Sequence, residues 1–151
     1  MDSVSIQNAP FSAAEEYSAV SSDAGECGAV VLFTGRVRAE SEANPVVALE
    51  LEHYPGMTEQ VLEDLMAEAR RRWTLGQIRV VHRVGEILLG DEIVLVAVSA
   101  AHRREAFEAC EYLMDTLKST VPFWKKEIRQ DGTSHWVAAK GSDEKAASRW
   151  G

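Results

Sequence analysis

Residues 99–127 read SAAHRREAFEACEYLMDTLKSTVPFWKKE and decide the second half of the fold. Apolar side chains recur at spacings of three and four between Ala106 and Leu117, which is the pattern of a helix with one buried face. Pro122 cannot continue that helix, so the chain turns there and brings the next residues back toward the helix end. The segment therefore predicts a core helix whose two ends are free.

Positive charge marks both ends of this predicted helix. His102 and Arg103 open it, where unpaired backbone amides favour an anion. Lys118 lies near its far end, and Lys125 follows the turn behind Phe123 and Trp124. A partly desolvated lysine loses its proton more readily and can then act as a nucleophile or a base. The pattern predicts anion binding at one end and lysine chemistry at the other.

Each charged residue also has an ordinary structural explanation. Lys118 is suited to complement the helix dipole from solvent. Arg38 can pair with Glu40 or Glu42 in its loop, and His102 can satisfy the local backbone. The residues alone leave these alternatives open.

Length and composition indicate one domain, spanning residues 1–151, since domains of roughly 100 to 150 residues are the commonest. The uncharged apolar runs, such as residues 29–33, are far shorter than the roughly 20 residues of a membrane span. The first residues do not resemble a secretory signal, so we expect a cytoplasmic protein.

Cys110 lies on the apolar helix face and is expected in the core, and the chain has no Cys-x-x-Cys or His-x-x-x-His motif. We therefore expect no bound metal and no other cofactor.

The formal net charge of −8 argues against a general nucleic-acid-binding protein, which is normally basic. Acidic residues crowd the first half, whereas the cations cluster in the candidate site segments. A cationic pocket on an acidic protein suits a small anionic substrate.

Alternation and turn signals predict the remaining elements. Residues 39–45 lack an apolar anchor and are predicted to form a mobile loop, and residues 139–151 form a C-terminal tail. The predicted elements are a first strand around Val4 and Ile6, a helix capped by Ser12 and Glu15, a buried strand over 29–34, a strand over 46–54, a helix capped by Thr58 and ending near Trp73, strands over 78–84 and 93–98 joined by a connection over 85–90, a hairpin of 124–129 with 134–138, and a short helix after Ser142.

From residue 46 onward the elements follow the order βαββαβ. This order is typical of an α+β fold with a mainly antiparallel sheet and helices on one face.

Seven ordered segments resemble the large, catalytic subunit of molybdopterin synthase. Together they extend over about a hundred residues, and their order makes the resemblance specific. The segments are GAVVLFTGRVR (28–38), LEHYPGM (51–57), RVGE (83–86), GDE (90–92), AHR (101–103), LK (117–118) and PFWK (122–125).

The resemblance implies an α/β hammerhead fold with a small additional sheet. It also implies a sulfurtransferase that converts cyclic pyranopterin monophosphate into the molybdopterin dithiolene. In this family the sulfur donor is a small ubiquitin-like subunit with a C-terminal Gly-Gly thiocarboxylate. A homodimer of the large subunit lies at the centre of the resulting heterotetramer.

The resemblance also suggests roles for single residues. Lys118 would contact the thiocarboxylate or an acyl intermediate, and Lys125 would transfer protons or bind substrate. The remaining positions would bind substrate (Arg38, His102, Arg103 and Lys140) or form the pocket wall (Phe33 and Met114).

Helix length constrains how these residues can meet. His102 and Lys118 are sixteen positions apart, and a helix rises about 1.5 Å per residue, so they lie roughly 24 Å apart. We therefore expect a composite site at a homodimer interface, with Lys118, Lys125 and Arg38 from one chain and His102 and Arg103 from the other.

Two other classes of protein are compatible with parts of the sequence. One is a non-enzymatic α+β scaffold or a module that binds a phosphorylated metabolite through its cationic loops. The other is an RNA-binding βαββαβ domain, which the acidic charge and the absence of an aromatic and basic strand motif disfavour.

Overall fold

The computed structural model describes residues 2–40, 43–137 and 141–151. Within them the chain forms two four-stranded sheets and four helices. In chain order the elements are β1 (Asp2–Gln7), α1 (Ala13–Val20), β2 (Ala29–Arg36), β3 (Val46–His53), α2 (Met57–Arg72), β4 (Ile78–Arg83), β5 (Gly85–Leu88), β6 (Glu92–Ala100), α3 (Arg103–Thr120), β7 (Phe123–Arg129), β8 (Ser134–Val137) and α4 (Gly141–Ser148).

The first sheet has the strand order β1-β4-β6-β2. Strand β1 pairs with β4 in parallel, and the other neighbours are antiparallel. Alternate residues of β6 point to opposite faces. Val96 packs with α2 and α3, whereas Leu95 packs with α1. The two helices of the βαββαβ order, α2 and α3, therefore share one face, as predicted, and α1, which precedes that order, covers the other face.

The second sheet has the order β5-β3-β7-β8 and is antiparallel throughout. Leu49, Leu51 and Ile87 on its inner face form a small core. The connection predicted over 85–90 is wrong, because residues 85–88 form β5. That strand is only four residues long and buries Ile87 alone, so it has too little alternation to be recognised in the sequence.

The mixed α+β class and the βαββαβ order are confirmed, but the strands of that order belong to two sheets. The predicted additional sheet is present, and it has as many strands as the first. It places β3 and β7 side by side, so the turn after α3 lies against the end of β3.

As predicted, helix α3 buries one face and ends just before Pro122. Its buried side chains include Ala106, Leu113 and Leu117. Val121 caps the helix by donating its backbone N–H to the Leu117 carbonyl at 3.3 Å, and Pro122 follows. The turn then leads directly into β7, as the sequence predicted.

The start of α2 differs from the prediction. Gly56 is the capping residue, with a positive φ of 86° that favours glycine. Its backbone N–H donates to the Glu59 carboxylate at 2.9 Å. Thr58 lies inside the first turn, where its hydroxyl accepts a hydrogen bond from the Tyr54 backbone N–H at 3.1 Å. The positive φ moves the cap two residues earlier than the Thr58 pattern suggested.

The C-terminal segment packs on the outer side of α2 and α3. Trp150 makes edge contacts with Trp73 and Tyr112, and its indole N–H donates to the Asp115 carboxylate at 2.7 Å. The predicted short helix is α4. Of the helices that the structure describes, none combines the length and the apolar character needed to cross a membrane.

Candidate functional site

The C-terminal end of α3 brings three titratable side chains together. Lys118 is exposed in the last turn of the helix. Lys118 and His53, at the end of β3, both lower the pKa of His82 in β4 by electrostatic repulsion. Because electrostatic repulsion weakens with distance, the three residues lie in one region.

His82 is the buried member of this group, with 5% of its surface exposed. Its ring stacks on that of Phe123, with the centroids 3.9 Å apart and the planes at 17°. The Nδ1 atom lies 2.8 Å from the Arg83 carbonyl oxygen, which can only accept, so Nδ1 carries the proton. Burial, together with the nearby Lys118 and His53, lowers the pKa of His82 to about 4, although the Arg83 bond opposes the shift. The imidazole is therefore neutral at physiological pH.

Sequence reasoning did not identify His82 as a site residue. The alternation of β4 places it in phase with the buried Ile78 and Val80, which is the one signal that the sequence offers. Its partner Phe123 is 41 positions away, so their contact depends on the tertiary fold.

Lys125 lies on the same face of β7 as Phe123, two residues farther along. Two residues of strand span about 7 Å. Lys125 is partly buried and pairs in register with Leu51 of β3 and Val137 of β8. Because Phe123 stacks on His82, the fold brings Lys125 into the region of Lys118.

Lys126 points to the face of β7 opposite Lys125. Its Nζ lies 3.6 Å from a Glu50 carboxylate oxygen and 5.3 Å from the centre of the Trp136 ring. It is held by these contacts and is only partly exposed.

An aromatic groove of about 480 Å³ lies on this outer face of the second sheet. The rings of Tyr54 and Trp124 meet edge to face, with centroids 4.3 Å apart. The groove was not predictable from the sequence, because its residues come from the end of β3, the residue after it, β7 and β8. Its lining consists of Glu52, His53, Tyr54, Trp124 and Trp136.

Arg38 follows β2 and has 76% of its side chain exposed. It lies 3.9 Å from the Glu40 carboxylate, so the loop ion pair considered above is present but long and exposed. Of the two predicted wall residues, Phe33 is 41% exposed and Met114 is buried.

His102 and Arg103 are exposed at the opposite end of α3. His102 occupies the capping position, but its side chain makes no capping hydrogen bond. The helix is continuous over its 18 residues, so the 24 Å estimate between His102 and Lys118 holds. Within one chain the structure keeps these two groups apart.

Two predictions concern residues that lie wholly or partly outside the described part of the chain. Lys140 lies outside the described residues. In the loop over 39–45, residues 41 and 42 also lie outside them. The described ends of that loop are joined by the Val46 N–H, which donates to the Ala39 carbonyl at 2.9 Å. The mobility of the loop remains a prediction.

Cys110 is a core residue, as predicted. It is 4% exposed, and burial raises the pKa of its thiol to about 12. The thiol therefore stays protonated at neutral pH and is a poor nucleophile.

The buried imidazole of His82 makes stability depend on pH. The unfolded chain binds this proton near pH 6.5 and the folded chain near pH 4, so unfolding takes up a proton between these values. The free energy of unfolding should therefore fall by about 3 kcal/mol as the pH is lowered through this window. Urea titrations of wild type and His82→Phe will measure it, and the variant should lose this part of the pH dependence.

His102→Gln is the matched control, because that histidine is exposed. It should keep the wild-type pH dependence. An unchanged pH profile in His82→Phe would show that His82 does not titrate in this way.

Comparison with known proteins identifies the family of this chain. Residues 6–120 match the family model described as MoaE protein. The molybdopterin synthase catalytic subunit of Vibrio cholerae serotype O1 is 50% identical over 147 residues, which cover 97% of each chain.

Two solved structures show the same fold over most of the chain. The molybdopterin biosynthesis MoaE protein of Burkholderia ambifaria MC40-6 is 46% identical, with a TM-score of 0.84 and coverage of 99% of this chain and 98% of that one. Molybdopterin synthase from Staphylococcus aureus is 35% identical, with a TM-score of 0.81 and coverage of 89% and 96%. The chain therefore belongs to the MoaE family, and with it to the enzymes of molybdopterin biosynthesis.

Proposed function

We propose that this chain is a molybdopterin synthase catalytic subunit. It transfers sulfur from the C-terminal thiocarboxylate of a small ubiquitin-like subunit to cyclic pyranopterin monophosphate, forming the dithiolene of molybdopterin. The observation that carries the proposal is the neutral His82 at one end of α3, which is near Lys118 and stacks on Phe123, two residues before Lys125 on the same face of β7.

The lysines supply the chemistry that sulfur transfer needs. A bond forms between sulfur and a side-chain carbon of the pterin while a carbon–oxygen bond at that carbon breaks, and the oxygen leaves with the phosphate as the cyclic ester opens or, at the other carbon, as water. The bond between sulfur and the acyl carbon then breaks. The acyl carbon takes oxygen from water and leaves as a carboxylate. We propose that Lys118 contacts the thiocarboxylate or an acyl intermediate, and that Lys125 moves protons or binds substrate. The protein needs no reactive cysteine, because the sulfur arrives on its partner.

The exposed cationic side chains would bind the anionic substrate. Arg38, His102 and Arg103 would bind the phosphate and the pterin and stabilise the charge that develops as the cyclic phosphate opens. Phe33 and Met114 would form the wall of the pocket, and Lys140 would contribute a further cation.

These cations cannot all come from one chain. His102 and Arg103 lie at the far end of α3 from Lys118, whereas the end of β2, which precedes Arg38, lies at the Lys118 end. This follows because β2 runs antiparallel to β6, with Arg36 opposite Glu92, and α3 then runs back along β6. We therefore propose a homodimer in which each site takes His102 and Arg103 from the second chain.

Reconstitution tests the proposed function. The purified chain, mixed with the thiocarboxylated small subunit and cyclic pyranopterin monophosphate, should yield the dithiolene product. Its formation is followed by converting molybdopterin to a fluorescent derivative. A scaffold or phosphometabolite-binding module would instead bind its ligand without turnover. Binding without product, with both components verified, would favour that alternative.

A further inference from the structure

His53 is the last residue of β3, and the proposed function gives it no role. It pairs in register with Phe123 of β7, so its side chain lies on the inner face of the second sheet, with those of Leu51 and Lys125. Lys125 is its diagonal neighbour across the two strands, at about 7–8 Å between Cα atoms, a separation that a long side chain can span. The His53 ring is therefore within reach of the Lys125 amine, directly or through one water.

The His53 imidazole also lies between the lysines and the open aromatic groove. It is partly buried, and it forms part of the lining of that groove. It is close enough to His82 to lower the pKa of that buried imidazole by repulsion, as Lys118 does. The charged and titratable groups around it are Lys125 of β7, Lys118 of α3, His82 of β4 and Glu52 of β3.

The ring nitrogens of His53 are available for proton exchange. Within the described residues neither of them has a hydrogen-bond partner. His82 differs in this respect, because it is buried and its Nδ1–H donates to the Arg83 carbonyl. Histidine is the side chain best suited to take up and release protons near neutral pH. Of the two imidazoles near Lys118, His53 is therefore the one that can exchange protons with solvent.

Hydrolysis of the bond between sulfur and the acyl carbon produces protons that must leave the site. Water forms a bond to the acyl carbon, the bond from that carbon to sulfur breaks, and the products are a carboxylate and a thiolate. Both protons of the water are therefore released. If Lys125 takes up one of them, it must lose that proton before it can act in the second sulfur transfer.

We propose that His53 carries protons from Lys125 to the solvent in the aromatic groove during each sulfur transfer. The neutral imidazole takes a proton from the Lys125 ammonium, which restores the free amine, and then gives the proton to solvent. The inference rests on the proposed function and deepens it, because it names the route by which the lysine is reset. His53 acts through Lys125, so its effect must be distinguished from a structural one.

Removal of the imidazole, followed by addition of a free base, tests this relay. His53→Ala should remain folded, since the side chain is only partly buried, and should lower the rate of dithiolene formation by about tenfold or more. His53→Phe keeps a ring beside Phe123 without the two nitrogens and should lose a similar factor. Added imidazole can enter the open groove and should restore much of the rate of His53→Ala, increasingly as the pH rises and the added base loses its proton.

Pyrazole is the matched control for the added base. It has the size and shape of imidazole but is far less basic, so it should not restore the rate of His53→Ala. Imidazole should leave the rate of wild type unchanged. Thermal melting of both variants checks that the fold is retained.

The outcomes separate this inference from the proposed function. Wild-type rates in both His53 variants would overturn the inference, and their product would leave the proposed function standing. A loss that imidazole does not restore in folded His53→Ala, or that pyrazole restores equally well, would also overturn it, because either result indicates a packing role. A wild type that forms no product would contradict the proposed function itself, and the inference would fail with it.

Discussion

Lys118→Ala should lower the turnover of dithiolene formation by roughly 10²- to 10⁴-fold, the usual effect of removing a group that transfers protons. The side chain is exposed at the end of α3, so its loss should leave the melting temperature close to that of wild type. Lys125→Ala should lower turnover into the same range. Single-turnover assays with a preformed thiocarboxylated partner measure both.

Lys126→Ala is the matched control for these variants. It removes a neighbouring lysine of the same strand, but one that faces Glu50 and Trp136 on the opposite side of the sheet. It should keep turnover within a few fold of wild type. Near wild-type turnover in Lys118→Ala or Lys125→Ala would remove that lysine from the mechanism.

Mixing inactive variants should restore activity if the site is composite. In a dimer of Lys118→Ala with Arg103→Ala, one site receives both intact residues and the other receives neither. Random mixing in equal amounts makes half of the dimers mixed, so about one quarter of the wild-type activity should return. Product formation after mixing, dissociation and reassociation of the two variants measures this recovery.

A second mixture is the control for this experiment. Lys118→Ala mixed with Lys125→Ala should recover nothing, because both lysines of a site come from the same chain. Equal recovery in the two mixtures, or none from verified mixed dimers of the first pair, would contradict the composite site.

The local elements were largely predictable from the sequence. The apolar spacing of α3 and the stop at Pro122 predicted that helix and the strand after it, and both are confirmed. The cap of α1 was also predictable, from the spacing of Ser12 and Glu15. It is confirmed, because the Ser12 hydroxyl accepts a hydrogen bond from the Glu15 N–H. Such features depend on residues within four positions of each other.

Features that depend on distant residues were not predictable. The division of strands between two sheets follows from the pairing of β3 with β7, which are about 70 residues apart. His82 belongs to the site only because the ring of Phe123 packs on it. Charge and motif identified the candidate lysines in the sequence, whereas the position of His82 near Lys118 depends on the fold.

The most direct test of sulfur transfer counts sulfur on both sides of the reaction. Mass spectrometry of the small subunit and quantification of the dithiolene, in one reaction containing this chain, provide the two numbers. Because each dithiolene contains two sulfurs, two thiocarboxylates should become carboxylates for every product molecule. Thiocarboxylate loss without product, or product without that loss, would contradict the proposed reaction.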